Sequence, residues 1–115
     1  MKKVKRYILA LDLQNDLNRI EEYKRLHNNV WPEIEASILN SGIELMEIYQ
    51  ISNRLVMIIE ANDNFSFDKK SEMDAKSSKV QEWETLMWKY QQALPGFKKG
   101  EKWILMNKIY EIEQN

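Results

Sequence analysis

His27 is the only histidine in the sequence. Its ordinary pKa, about 6.5, lets an imidazole give and take protons under physiological conditions. Tyr23 precedes it and Trp31 follows it, each about one helical turn away. In a helix such positions are neighbours on one face. A proton carrier, a hydroxyl and a flat apolar wall are together the ingredients of a carbohydrate site. The competing reading is a hydrogen-bonded histidine in a core or interface. Trp31 and Trp83, by type, are more often core residues than ligand platforms.

Other chemistries find little to work with. There is no cysteine, which excludes disulfides, thiol nucleophiles and cysteine-ligated zinc or iron–sulfur groups. A lone imidazole makes no zinc site, and the Asp63 to Asp68 region lacks calcium-loop spacing. The three glycines are scattered, so no phosphate-cradling loop is present. No Gly-x-Ser-x-Gly element marks a serine nucleophile. Proton transfer is the chemistry that remains.

The residues must be positioned by a small fold. A chain of 115 residues, 43% apolar and 30% charged, reads as one globular domain spanning residues 1–115. A net charge of −1 supplies no basic field for nucleic acid. The cluster Lys2, Lys3, Lys5 and Arg6 is short and reads as a solvated terminus. The apolar run behind it is broken by Asp12, which argues against a secretion signal, and no stretch is long enough to span a membrane. A cytoplasmic protein is expected.

Val4 to Leu13 reads as a strand, with Asp16 as a helix N-cap. At about 100° per residue, Ile20, Tyr23, His27, Trp31, Ile34 and Ile38 share one helical face. Pro32, behind Asn28-Asn29, predicts a kink or break in this helix. Gly42 suits a left-handed cap at its end. Leu45 to Ile51 and Arg54 to Ala61 form a hairpin around Ser52-Asn53. Its apolar face shows Met46, Ile48, Leu55, Met57 and Ile59, and its mixed face Leu45, Glu47, Tyr49, Val56 and Ile58. A short helical piece is expected over Phe67 to Ala75. Ser78-Lys-Val-Gln81 has the form of a capping box. The helix behind it places Val80, Trp83, Leu86, Met87, Tyr90 and Leu94 on one stripe, with Trp88 off it. Trp103 to Ile112 reads as a final strand. The order β-α-β-β-α-β is that of an α+β, ferredoxin-like fold. Two helices cover one sheet face only, so the mixed face is expected to meet a second copy in a homodimer.

The run Glu22-Tyr23-Lys24-Arg25-Leu26-His27-Asn28-Asn29-Val30-Trp31-Pro32-Glu33 resembles the E-Y-x-x-x-H-x-x-x-W-P-E signature of the L-rhamnose mutarotase family. The likeness extends from Arg6-Tyr7 to Ile109-Tyr110. Met46-Glu47-Ile48-Tyr49, Asn53-Arg54-Leu55, Gln81-Glu82-Trp83-Glu84 and Gly100-Glu101-Lys102-Trp103 look like the family branch associated with L-fucose. The resemblance implies a dimeric α/β barrel that interconverts the α and β anomers of a 6-deoxyhexose without a cofactor. It implies a general acid at His27 and substrate contacts at Tyr23 and Trp83. Glu84 stands where a second tryptophan is found in rhamnose enzymes, and Met46 stands where a second tyrosine is found. A register through Met87-Trp88-Lys89-Tyr90 also matches locally, but helical geometry aims Trp83 inward and Trp88 outward. Trp31 and Tyr49 are further candidate sugar contacts. Glu33, Glu47 and Glu84 are candidates for a second proton carrier, with a water relay as the other route. Two rival readings share the fold: a cofactor-free monooxygenase-like protein and a non-catalytic sugar-binding module.

Overall fold

The computed structural model describes residues 4–114. Its first strand, β1, runs Lys5–Leu13 and ends where Asp16 begins a helix. The Asp16 carboxylate accepts from the Arg19 N–H at 3.1 Å, satisfying one of the first-turn donors. The expected long helix is broken in two, α1 at Leu17–Leu26 and α2 at Pro32–Asn40. Pro32 opens α2 because its missing N–H costs nothing at a helix start. His27 becomes the C-cap of α1, and Trp31 the N-cap of α2.

Gly42 follows α2 with φ +104°, and a Cβ there would lie 2.8 Å from Asn62 Oδ1. Only glycine fits this turn without strain. Beyond it, β2 (Ile43–Ile51) and β3 (Arg54–Ala61) form the predicted hairpin, with Ile51 opposite Arg54. Ser52 takes φ +53° in the connecting turn.

Two helices follow, α3 at Phe67–Lys76 and α4 at Ser78–Trp88. The residue that caps α4 is Ser77, whose hydroxyl accepts from the Val80 N–H at 3.2 Å. The predicted capping box at Ser78 is therefore displaced by one residue. Gln81 instead donates to the Asp74 carbonyl at 2.9 Å. The stripe also continues past the end of α4, since Tyr90 is buried but lies beyond it. Arg19 and Gln14 both donate to the Lys89 carbonyl, at 2.7 and 3.1 Å, and so tie the end of α4 to the start of α1.

The sheet order is β2-β3-β1, with two short strands on the outer edge of β1. These are β4 (Gln91–Gln92), opposite Leu13 and Asp12, and β5 (Ile104–Leu105), opposite Ala10 and Leu9. All pairs are antiparallel. This is the ferredoxin-like order with its fourth strand divided. The expected strand over Trp103 to Ile112 is thus corrected to a two-residue pairing. Its last bond to β1 runs from the Met106 N–H to the Ile8 carbonyl, at 2.8 Å. Alternating side chains specify an extended chain but not the edge it pairs with, and Ile109, Tyr110 and Ile112 remain exposed.

Helices cover the inner sheet face. One apolar cluster gathers Leu13, Ile20, Tyr23, Ile34, Leu55, Val80, Trp83, Met87 and Tyr90. A second gathers Leu9, Ile43, Met57, Ile59, Ala61 and Phe65. Burying each large aliphatic side chain contributes roughly 1.5–3 kcal/mol. On the outer face, Val56 and Ile58 are half-buried and Leu45, Tyr49 and Ile51 are exposed. Ion pairs frame this apolar strip. Arg6 holds Glu60 at 2.7 Å, and Arg54 grips the buried Asp12 through two bonds of 2.8 and 3.2 Å. No helix among the described residues is long and apolar enough to cross a membrane.

Candidate active site

Between the two apolar clusters lies a cleft of about 810 Å³. Its floor is the inner sheet face, with Leu9, Met46, Ile48, Met57 and Ile59. Its helical wall carries Tyr23, His27, Ile34, Val80, Trp83 and Glu84. Gln91 of β4 and the pair Lys102-Trp103 before β5 close it from the edge of β1. A smaller hollow of about 310 Å³ adjoins it, sharing Phe67, Lys70, Asp74 and Glu84 but not His27.

The break between α1 and α2 places His27 where the helix has just ended. Its Nδ1 lies 2.8 Å from the Tyr23 carbonyl. A carbonyl can only accept, so Nδ1 carries the proton and Nε2 is the basic nitrogen of the neutral ring. The half-buried imidazole meets two aromatic neighbours, Tyr23 at a tilt of 41° and Trp83 edge to face at 70°. Its centroid is 4.4 Å from that of Tyr23 and 5.8 Å from that of Trp83. Trp31 in turn meets Trp83 edge to face at 5.1 Å. The ring is therefore fixed in tautomer and in position before any ligand arrives.

Tyr23 is buried at 3% exposure. Burial raises its pKa, partly offset by a hydrogen bond from Gln91, whose Nε2 donates to the phenol oxygen at 3.3 Å. The phenol therefore keeps its proton at neutral pH and acts as a donor. Near the mouth, Lys102 holds Glu84 at 2.9 Å while its ammonium sits 4.8 Å above the Trp88 ring. Lys70 holds Asp74 at 2.6 Å on the same cleft, and Asp74 Oδ1 is buried without a protein partner. Among the described residues, no group of three histidine, aspartate or glutamate side chains converges as a metal site requires.

Of the expected site residues, Tyr23, His27, Met46, Trp83 and Glu84 all line this one cleft. Trp31 stands behind Trp83 and supports it rather than lining the cavity. Tyr49 is on the outer sheet face, 55% exposed, where its hydroxyl donates to Glu47 at 3.3 Å. Strand alternation puts it opposite the floor residues Met46 and Ile48, so Tyr49 and Glu47 are outside the site. Glu33 is exposed in the first turn of α2 and does not line the cleft. Glu84 is thus the one sequence candidate for a second proton carrier that does.

Gln91, Lys70 and Asp74 were not legible as site residues. Gln91 follows a helix that ends earlier than its stripe suggests, and nothing in the sequence separates it from a loop glutamine. Lys102 and Trp103 had a signal in the Gly100-Glu101-Lys102-Trp103 run. Trp103 enters the cleft wall with φ +39°, a left-handed conformation uncommon for so bulky a residue.

Comparison with known proteins places these residues in context. The family described as L-rhamnose mutarotase matches residues 6–112. A protein named L-fucose mutarotase from Xanthomonas campestris is 37% identical over 113 residues, covering 96% of this chain and 90% of that protein. A UPF0734 protein of Dictyostelium discoideum is 38% identical over 116 residues, covering 95% of this chain and 90% of its own length. The crystal structure of an L-rhamnose mutarotase from Formosa agariphila superposes with a TM-score of 0.68 at 19% identity, over 95% of this chain and 99% of that one.

Proposed function

The chain belongs to the L-rhamnose mutarotase family and is a sugar mutarotase, an isomerase of 6-deoxyhexose anomers, and from that premise we propose that His27 carries the proton at the reacting centre. The observation behind this is the bond from His27 Nδ1 to the Tyr23 carbonyl, which leaves Nε2 as the nitrogen of that ring able to exchange a proton on the cleft wall.

The reaction needs no net change of atoms. A proton reaches the ring oxygen and the bond from it to the anomeric carbon breaks. A proton leaves the anomeric hydroxyl, giving the open-chain aldehyde. Rotation about the bond between the first two carbons presents the other carbonyl face, and reclosure reverses both transfers. In the protonated imidazolium form Nε2 delivers the first proton, which leaves the neutral Nδ1–H ring whose basic Nε2 recovers the proton on reclosure. Positioned acid–base groups each give roughly 10²–10⁴-fold. Glu84 is the proposed partner that relieves the anomeric hydroxyl, with Lys102 holding it as a carboxylate. Tyr23 donates to a sugar hydroxyl, and Trp83 covers the apolar side that carries the methyl group. We take L-fucose as the preferred sugar. The 37% identity to a protein of that name favours it, as does Met46, an apolar floor residue without a hydroxyl.

The outer sheet face is the proposed seat of a second copy. Its strip of Leu45, Tyr49, Ile51, Val56 and Ile58 is the kind of apolar patch that a partner covers.

Anomer exchange measured by saturation-transfer NMR tests the catalytic assignment. His27→Gln is expected to lower the enzymatic exchange rate of L-fucose by roughly 10²-fold or more, with binding retained. An unchanged rate in that variant would remove His27 from the mechanism.

A further inference from the structure

Among the described residues, two side chains on the cleft have a buried oxygen without a protein partner; Asp74 is already paired with Lys70 through its other oxygen, which leaves Gln91. The residue is 5% exposed, and its Oε1 is buried with no protein partner. More than nine in ten buried polar groups are paired in folded proteins, and an orphan calls for a reason. Gln91 is also held firmly. It sits in β4, opposite Leu13 of β1, and its Nε2 donates to the Tyr23 hydroxyl at 3.3 Å. That bond occupies the oxygen of the phenol and leaves its O–H to donate elsewhere.

We propose that Gln91 is a specificity-determining residue, its side-chain amide binding one hydroxyl of the sugar next to the hydroxyl that Tyr23 holds. This rests on the mutarotase reading above and deepens it. The paired groups offer a donor, the phenol, beside an acceptor, the amide oxygen. Neighbouring hydroxyls on a pyranose are the matching pattern, since each can give and accept. For the same reason a hydroxyl fits the amide in either of its two orientations. Discrimination follows from the burial. A sugar lacking that hydroxyl leaves the amide unpaired in a dry site, and such sites reject deoxy analogues more strongly than apolar pockets reject a missing methylene.

The test compares L-fucose with its 2-deoxy, 3-deoxy and 4-deoxy analogues on the 115-residue chain, by kcat/KM for anomer exchange. The wild-type protein is expected to lose about 10–100-fold on one analogue relative to L-fucose. Gln91→Met, unbranched and of similar volume, is expected to lose a comparable factor on L-fucose but to show no further loss on that analogue. Equal loss on every sugar would mean that Gln91 only supports Tyr23, and would overturn the proposal. So would full activity of Gln91→Met on L-fucose. If that variant does not fold, the wild-type series decides alone: no analogue poorer than L-fucose overturns the proposal. A wild-type chain that accelerates exchange of no sugar removes both the mutarotase reading and this inference. An active chain that fails the analogue test removes only the latter.

Discussion

Burial of Tyr23 and the carbonyl bond of His27 give two neighbouring rings different hydrogen-bonding states. The phenol is held neutral, with its pKa raised chiefly by burial. It therefore keeps its proton to higher pH than an exposed phenol does. The same shift has a stability consequence. In the unfolded chain a tyrosine ionises near pH 10. In the folded chain Tyr23 holds its proton to higher pH, so its contribution is complete below about pH 10 and fades as pH rises through the raised folded value. Unfolding free energy followed by urea titration is expected to fall above pH 10. Tyr23→Phe should flatten part of that slope. Tyr90 acts in the same direction, its pKa also raised, first by burial and then by the nearby Glu22 carboxylate. A slope identical in wild type and variant would contradict the assignment.

Among the elements, the break at residues 28–31 matters most to the site, because it ends α1 at His27 and lets the imidazole reach a carbonyl within its own last turn. Pro32 and the paired asparagines announced this break in the sequence. Strand alternation likewise announced the hairpin, its register at Ile51 and Arg54, and the inward face that floors the cleft. The misreadings have a common cause. The end of α4, the placement of β4 and the short pairing of β5 are set by contacts between distant segments. Examples are the bonds of Arg19 and Gln14 to the Lys89 carbonyl. No local pattern encodes them, and Gln91 was hidden for this reason. The sequence pointed to Ser78 as the cap of α4, whereas the hydroxyl that caps it belongs to Ser77, one residue earlier. Ser77→Ala is expected to destabilise the protein by about 1 kcal/mol in chemical denaturation, and Ser78→Ala by only a few tenths. The reverse order would return the cap to Ser78.

For the molecule as a whole, the radius of gyration is 15.0 Å, against about 13 Å for a compact domain of this length. In the segment beyond Met106, Ile109 is 95% exposed and Tyr110 and Ile112 lie mostly bare. With the strip of Leu45, Tyr49 and Ile51 on the outer sheet face, these side chains leave two apolar stretches open to solvent. For the proposed homodimer, Ile58→Glu, placing a carboxylate in that strip, is expected to shift the sedimentation velocity from dimer to monomer while leaving the cleft intact. A variant that still sediments as a dimer would move the interface elsewhere.

The bare strip also ties heat resistance to dose. If a twin chain must cover it, mass action makes folding and pairing one coupled equilibrium. The melting midpoint of this protein should then climb with each tenfold increase in its own concentration, and dilution alone should weaken it with no change in buffer, sugar or sequence.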